Sequence, residues 1–268
     1  MAKVLVPEGW TIYGTVRNSH DFIGLEESGV TPILWSEGMP EAAFAQASHV
    51  LISTAPGTNG DPVLKEYKNK INEIAGSLSW IGYLSTTGVY GDHQGGWVDE
   101  ATALTPATER GKLRVAAENQ WKSMGSLPLH IFRLAGIYGP GRGPVEKLRN
   151  GTARRIVKEN QVFSRIHVED IAQVLKASMA NPSPGAVYNV CDNDPAPPQD
   201  VIGYAAKLLG VEVPPEIPFE NAGLSPIARS FYAESKRVRN DRILKELGIT
   251  LRYPTYRDGL TALLRGET

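Results

Sequence analysis

Short apolar runs alternate with helix-length stretches through the first two-thirds of this chain, and that rhythm limits the folds open to it. Residues 10–17 (Trp-Thr-Ile-Tyr-Gly-Thr-Val-Arg) alternate with a period of two, as a strand does. The runs at 31–35, 49–54, 79–85 and 129–134 are nearly continuous in apolar residues, the pattern of parallel strands covered on both faces. Helical stretches between them make βαβ units, so the expected fold class is α/β, a Rossmann-type doubly wound parallel sheet. The best marked helix has Thr105 to cap it, Pro106 for its first turn and Gly125 for its end, with Leu113, Ala116, Ala117, Trp121 and Met124 as an apolar stripe.

The last third changes character. After Val187-Tyr-Asn-Val-Cys191 come a proline-rich loop, a helix over 198–209, helical segments at 225–232 and 235–247, and a closing helix. This part reads as a small, mostly helical lobe over a cleft. The expected division is 1–160 for the Rossmann-type domain and 161–268 for a C-terminal part, mainly substrate lobe with sheet-completing segments.

With 268 residues the chain can bury a full core. A net charge of −1 argues against general binding to nucleic acid or to an anionic membrane. Cys191 is the single cysteine, so no intrachain disulfide forms, and no apolar run has the length of a signal peptide or a membrane span. The expected location is cytoplasmic. No His, Cys and Asp cluster has metal-ligand spacing, so no metal is expected.

The chemistry-bearing segment is Leu84-Ser-Thr-Thr-Gly-Val-Tyr-Gly-Asp92, a buried strand that ends in hydroxyls and glycine. It is followed by Val98-Asp-Glu100, Phe132-Arg-Leu-Ala-Gly-Ile-Tyr-Gly-Pro-Gly141, Ile166-His-Val-Glu-Asp-Ile171 and Val187-Tyr-Asn-Val190. In this order the segments resemble the NAD-dependent epimerase/dehydratase family, the extended short-chain dehydrogenases, from about Trp10 to the C-terminus. The resemblance implies a nicotinamide cofactor, a small-molecule substrate and, by superfamily habit, a homodimer. It also implies a hydroxyl, a tyrosine and a lysine four residues later acting on the substrate.

This chain departs from that pattern twice. The family opens with a strand, a glycine-rich turn and a helix whose amides hold the pyrophosphate. Here only nine residues precede Trp10, with no G-x-G-x-x-G. Residues 2–6 read as a strand or as the tail of a helix closed by Gly9. They cannot be a parallel partner of 10–17, because such a crossover needs roughly a dozen residues. The expectation is a chain about twenty residues short of its relatives at the first strand-turn-helix. The alternatives are a lost cofactor site and a rearranged N-terminus. The other glycine cluster, Gly139-Pro-Gly-Arg-Gly143, reads as a turn or lid.

The second departure is catalytic. Register on the motif puts the hydroxyl at Thr86, and puts Arg110 and Arg114 where the family has tyrosine and lysine. Arginine does not serve as a general acid or base near neutral pH. Arg110 and Arg114 share a helix face, which suits either an anion held between them or a solvated basic face. Tyr90 is the nearest surrogate acid, with packing beneath the pocket as the other reading. His167 and Asp170 read as a helix cap with a packed histidine. Arg133, Arg142, Arg154, Arg155 and Arg165 make the middle of the chain basic near the cleft.

Arg17 ends the strand where an acidic residue would hold a ribose 2′-hydroxyl, so NADP is expected over NAD. Ser53, Thr54, Ala55, Leu84, Ser85, Leu134, Ala135 and Gly136 lie at the carboxyl ends of their strands, where ligands sit in open α/β sheets. The functional expectation is an NAD(P)-dependent oxidoreductase, epimerase or dehydratase acting on a small sugar-like or carboxylated, anionic substrate. The alternative is a non-catalytic dinucleotide-binding sensor or scaffold.

Overall fold

A computed structural model gives the structure, and it describes residues 1–266. The strands are β1 (Tyr13–Val16), β2 (Thr31–Leu34), β3 (His49–Ile52), β4 (Trp80–Thr86), β5 (Trp97–Val98), β6 (Leu129–Leu134), β7 (Gly136–Tyr138), β8 (Arg155–Val157), β9 (Arg165–His167), β10 (Val187–Val190), β11 (Glu216–Pro218) and β12 (Arg237–Val238). The helices are α1 (Ala2–Leu5), α2 (Phe22–Glu26), α3 (Glu41–Gln46), α4 (Pro62–Glu73), α5 (Glu109–Lys122), α6 (Pro144–Arg149), α7 (Val168–Ala180), α8 (Pro198–Leu209), α9 (Pro226–Phe231), α10 (Asp241–Glu246) and α11 (Tyr256–Arg265).

The central sheet is parallel throughout, in the order β10-β6-β4-β3. Its two faces carry separate cores. On one, Ile71 of α4 and Ala117 and Trp121 of α5 pack on Ile52, Ile81, Tyr83 and Ile131. On the other, Val174 and Leu175 of α7 and Ile243 of α10 pack on Trp80, Phe132, Tyr188 and Val190. Successive strand residues point to opposite faces, so Ile81 and Tyr83 serve the first core while Trp80 serves the second. Gly82 leaves room for the Trp80 indole; a Cβ there would lie 2.0 Å from it. This is the Rossmann-type, doubly wound arrangement. A third core joins α8, α11 and Val145 of α6 in the C-terminal lobe.

β1 and β2 form their own parallel pair. Among the described residues β1 therefore pairs with β2 alone and β3 with β4 alone, leaving each one edge without a strand. Trp10 meets His49 edge-on at 4.7 Å. Leu51 of β3 is 38% exposed, while Val50 and Ile52 pack toward α4.

Three local readings are settled here. Residues 2–6 are helical: α1 runs into a 3-10 turn, Val6–Glu8, which Gly9 ends at φ 86°. α5 is capped by Thr108, whose hydroxyl accepts from the Gly111 amide at 3.2 Å. Thr105 instead donates its hydroxyl to the Tyr90 carbonyl at 2.8 Å, so the helix begins later than the Thr-Pro signal suggests. Segment 235–247 is helical only in α10, because β12 pairs in parallel with β5. Among the described residues no helix is long and apolar enough to cross a membrane.

Candidate functional site

The carboxyl ends of β3, β4 and β6 lie side by side, since β3 pairs with β4 and β4 with β6. They bring together Ser53, Thr54, Ala55, Leu84, Ser85, Leu134, Ala135 and Gly136, the residues expected to line a ligand wall. Arg114 ties this wall together. Its Nη1 donates to the Leu84 carbonyl at 2.8 Å, the Tyr83 hydroxyl at 3.1 Å and the Thr54 carbonyl at 3.3 Å. Three acceptors on one guanidinium nitrogen fix the helix against both strand ends.

Thr86 ends β4 and caps the turn Thr87–Tyr90, its hydroxyl accepting from the Gly88 amide at 3.2 Å. α5 closes on that turn. A Cβ on Gly111 would meet the Gly88 carbonyl at 2.9 Å, so the helix reaches the turn only with glycine there.

Arg110 and Arg114 do not act as one clamp. The exposed Arg110 stacks its guanidinium on Phe231 of α9, 4.3 Å from the ring centre, while Arg114 faces the strands. The favourable contact of a cation with an aromatic face disposes of Arg110 without an anion. Arg17 follows β1 and is exposed.

Of the two readings of Tyr90, surrogate acid or packing beneath the pocket, the structure has the second, as part of a buried network. Its hydroxyl donates to Asn189 Oδ1 at 2.6 Å and accepts from Arg133 Nη1 at 3.0 Å. Burial pushes the phenol up to about 12, with Arg133 pulling the other way. Arg133 is corrected from a cleft cation. Its Nε and Nη2 donate to the two oxygens of Glu118 at 3.1 and 2.8 Å, and Ser85 Oγ donates to Oε1 at 2.6 Å. Ser85, Glu118, Arg133, Tyr90 and Asn189 thus run as one chain of hydrogen bonds behind the wall, all buried. Glu118, one of two acidic residues on α5, gave no sequence sign of this pairing, which joins residues fifteen positions apart.

His167, not Asp170, caps α7: its Nδ1 accepts from the Glu169 amide at 3.3 Å. Asp170 instead accepts from the amides of Arg252 and Tyr253 at 2.7 and 3.1 Å and so anchors the C-terminal lobe. Gly139-Pro-Gly-Arg-Gly143 is a tight turn, with Gly139 and Arg142 bonding each other's backbone. Cys191 is fully buried.

Asp192, just past β10, escaped the sequence reading. It is 1% exposed, accepts from the Asp194 amide at 3.1 Å, and its Oδ2 has no partner in the structure. Burial pushes its carboxyl up to about 8, against the pull of that amide and of Arg165. The folded chain therefore holds this proton at pH values where the unfolded chain has lost it. Stability on this account falls as pH rises from about 4 to about 8. Asp192→Asn is expected to melt like the parent at pH 4 and to gain more than about 2 kcal/mol over it at pH 9. Melting curves of both at the two pH values check this; a stability difference that does not widen toward pH 9 refutes it.

No protein-family model matches the chain. Its fold is that of NAD-dependent epimerase/dehydratase enzymes. A dTDP-glucose 4,6-dehydratase from Bacillus anthracis, solved with NAD, superposes with a TM-score of 0.75 over 98% of this chain and 90% of its own, at 15% identity, which is a likeness of fold. The chain belongs with a functionally unknown conserved protein from Silicibacter pomeroyi, 58% identical over 99% of this chain and 93% of that one, with a TM-score of 0.96. It is also 29% identical over 270 residues to Protein YeeZ of Escherichia coli strain K12, covering 95% of this chain and 92% of the relative.

Proposed function

We propose that this chain is an NAD(P)-linked oxidoreductase of the epimerase/dehydratase type, acting on a small anionic substrate without the tyrosine–lysine pair of its fold relatives. The wall at the carboxyl ends of β3, β4 and β6, fastened by Arg114, carries this reading. That edge is where open α/β sheets take their ligands.

The wall residues fit one side of a dinucleotide. For the pyrophosphate, the first strand of the described residues is not followed by a glycine turn into a helix: Gly9 follows a helix and precedes β1, while the Gly57–Gly60 turn leads into α4 and the Gly139–Gly143 turn into α6. No chemical step is therefore assigned to the cofactor; a nicotinamide, when bound, would supply hydride chemistry. The chain's own residues orient and hold. Thr86 ends its strand at the wall, Arg114 keeps the strand ends in register, and Arg17 suits a 2′-phosphate.

Fluorescence titration with NADPH and NADH tests the reading. NADPH is expected to bind more tightly, and Arg17→Ala to cut that preference about tenfold, the lower range for a charged hydrogen bond. Equal affinity for the two refutes the NADP preference, and binding of neither refutes the dinucleotide site. One observation favours a second reading, a binding module without turnover. Arg110 and Arg114, which the resemblance puts at the tyrosine and lysine positions, lie on Phe231 and hold the strand ends, and the nearby Tyr90 is fully buried. Binding of NADPH without reduction of any carbonyl compound supports it.

A further inference from the structure

The C-terminal lobe gathers aromatic rings and cations beside the first turn of α5. Phe219 lies 5.3 Å from Tyr232, and Tyr232 lies 5.6 Å from Phe163, measured between ring centres. Two cations share the Phe219 ring: the Arg229 guanidinium at 4.9 Å and Lys158 Nζ at 5.4 Å. Phe231, next to Tyr232 in the chain, is the ring beneath Arg110 of α5, so the cluster adjoins the first turn of that helix.

None of these cations has a carboxylate within ion-pair distance among the described residues, although the charges of Asp192 and Asp194 reach Arg165. Among the described residues, Arg154 donates to the Ala222 carbonyl, Lys158 to the Tyr232 carbonyl, and Arg165 to the carbonyls of Phe163 and Ala196 at 2.8 and 3.1 Å. Among the described residues, the Arg229 side chain has no hydrogen-bond acceptor and the Tyr232 hydroxyl no hydrogen-bond partner. Asp92 feels the charge of Lys158 but accepts from the Ser235 and Gln94 amides at 2.8 and 3.1 Å. Burial raises the Tyr232 hydroxyl above its usual range, while Arg165 and Arg154 pull it down, so both guanidinium groups lie within electrostatic reach of it.

Like charges gathered this closely repel, and an anion among them reverses the sign. The number of free donors limits which anion. Arg154, Lys158 and Arg165 already donate to main-chain oxygens and contribute mainly their charge. Arg229 keeps an open fork, which matches one carboxylate in a bidentate pair. A diphosphate would need several such forks. The rings of Phe219 and Tyr232 add faces on which a planar group stacks.

We propose that the lobe holds a subsite for a single carboxylate carried on an aromatic or conjugated ring system, with Arg229 gripping the carboxylate and Phe219 and Tyr232 stacking the ring. This names the substrate class of the cleft, and so rests on that cleft taking a small anionic substrate. It does not depend on the dinucleotide.

Calorimetric titration of the full chain with trans-cinnamate tests it, beside cinnamamide, acetate and uridine monophosphate. Cinnamate is expected to bind. Removing the charge (cinnamamide) or the ring (acetate) is expected to cost about tenfold or more, one charged hydrogen bond or one stacked ring. Arg229→Gln and Phe219→Leu are expected to weaken cinnamate about tenfold, with melting temperature and NADPH affinity unchanged. The open fork is exposed, so affinity is expected to fall as salt rises. Absence of cinnamate binding at millimolar concentration overturns the proposal. So does acetate binding as well as cinnamate, uridine monophosphate displacing cinnamate at lower concentration, or Arg229→Gln without effect. Cinnamate binding with no NADPH binding would leave this subsite standing and remove the dinucleotide reading; the converse would do the opposite.

Discussion

Glu118→Leu is expected to lower the unfolding free energy by about 3–5 kcal/mol, the cost of leaving a buried charge without its partner. Glu118 is 0% and Arg133 3% exposed, and two hydrogen bonds join them. Without Glu118, the Arg133 guanidinium keeps only the Tyr90 hydroxyl, and Ser85 loses its acceptor. Arg133→Met is expected to cost less, because Lys122 Nζ, 3.7 Å from Glu118 Oε2 and partly exposed, remains to compensate the carboxylate. The double variant Glu118→Leu with Arg133→Met is expected to recover much of the loss, since it leaves no charge buried. Denaturant unfolding of the three chains measures this. A double variant as unstable as the sum of the singles would show that the pair contributes by its shape rather than its charge. The site bears on this as well, because Ser85 and Glu118 stand directly behind the wall that Arg114 ties together.

Trp80→Ala is the second large effect, with an expected loss of about 3–5 kcal/mol. The indole is 1% exposed, stacks at 5.8 Å on His130, packs at 5.9 Å on Phe132, and donates from Nε1 to Ser178 Oγ at 3.0 Å. Removing it opens a cavity between the sheet and α7 and leaves the Ser178 hydroxyl without its donor. Gly82 supplies an internal control. Gly82→Ala should cost about 1–3 kcal/mol in the parent, where the new methyl meets the indole, and far less in Trp80→Ala, where that space is empty. A double-mutant cycle by thermal or chemical unfolding reads the coupling directly. Equal penalties in both backgrounds would place the strain elsewhere than against Trp80.

The strands were legible because their causes are local. The apolar runs at 49–54 and 129–134 contain β3 and β6, and the run at 79–85 covers all of β4 but its last residue, since a parallel strand covered on both faces favours apolar residues throughout. The helix over 198–209 was equally plain, with prolines at its start and Gly210 in a left-handed conformation at its end. Helix starts were less secure. Thr105 and Thr108 both satisfy the capping rule, and only the bond from Thr105 to the Tyr90 carbonyl decides between them. The 235–247 segment reads as helical throughout, whereas β12 exists only through its pairing with β5, which no nearby residue announces.

The site divides in the same way. Sequence by itself determined which residues stand at the carboxyl ends of the strands, because that follows from periodicity; the family resemblance added the expectation that Arg110 and Arg114 stand at the tyrosine and lysine positions. Tertiary structure alone decided what those side chains do. Arg114 fastens two strand ends, Arg110 lies on Phe231, Tyr90 and Arg133 join Glu118 inside the protein, and Asp192 is left buried with an unpartnered oxygen. The physical reason is distance along the chain. A hydrogen bond, a stacked cation or a desolvated carboxylate depends on groups that the fold brings together from tens of residues apart, and no local pattern of residue types encodes that meeting.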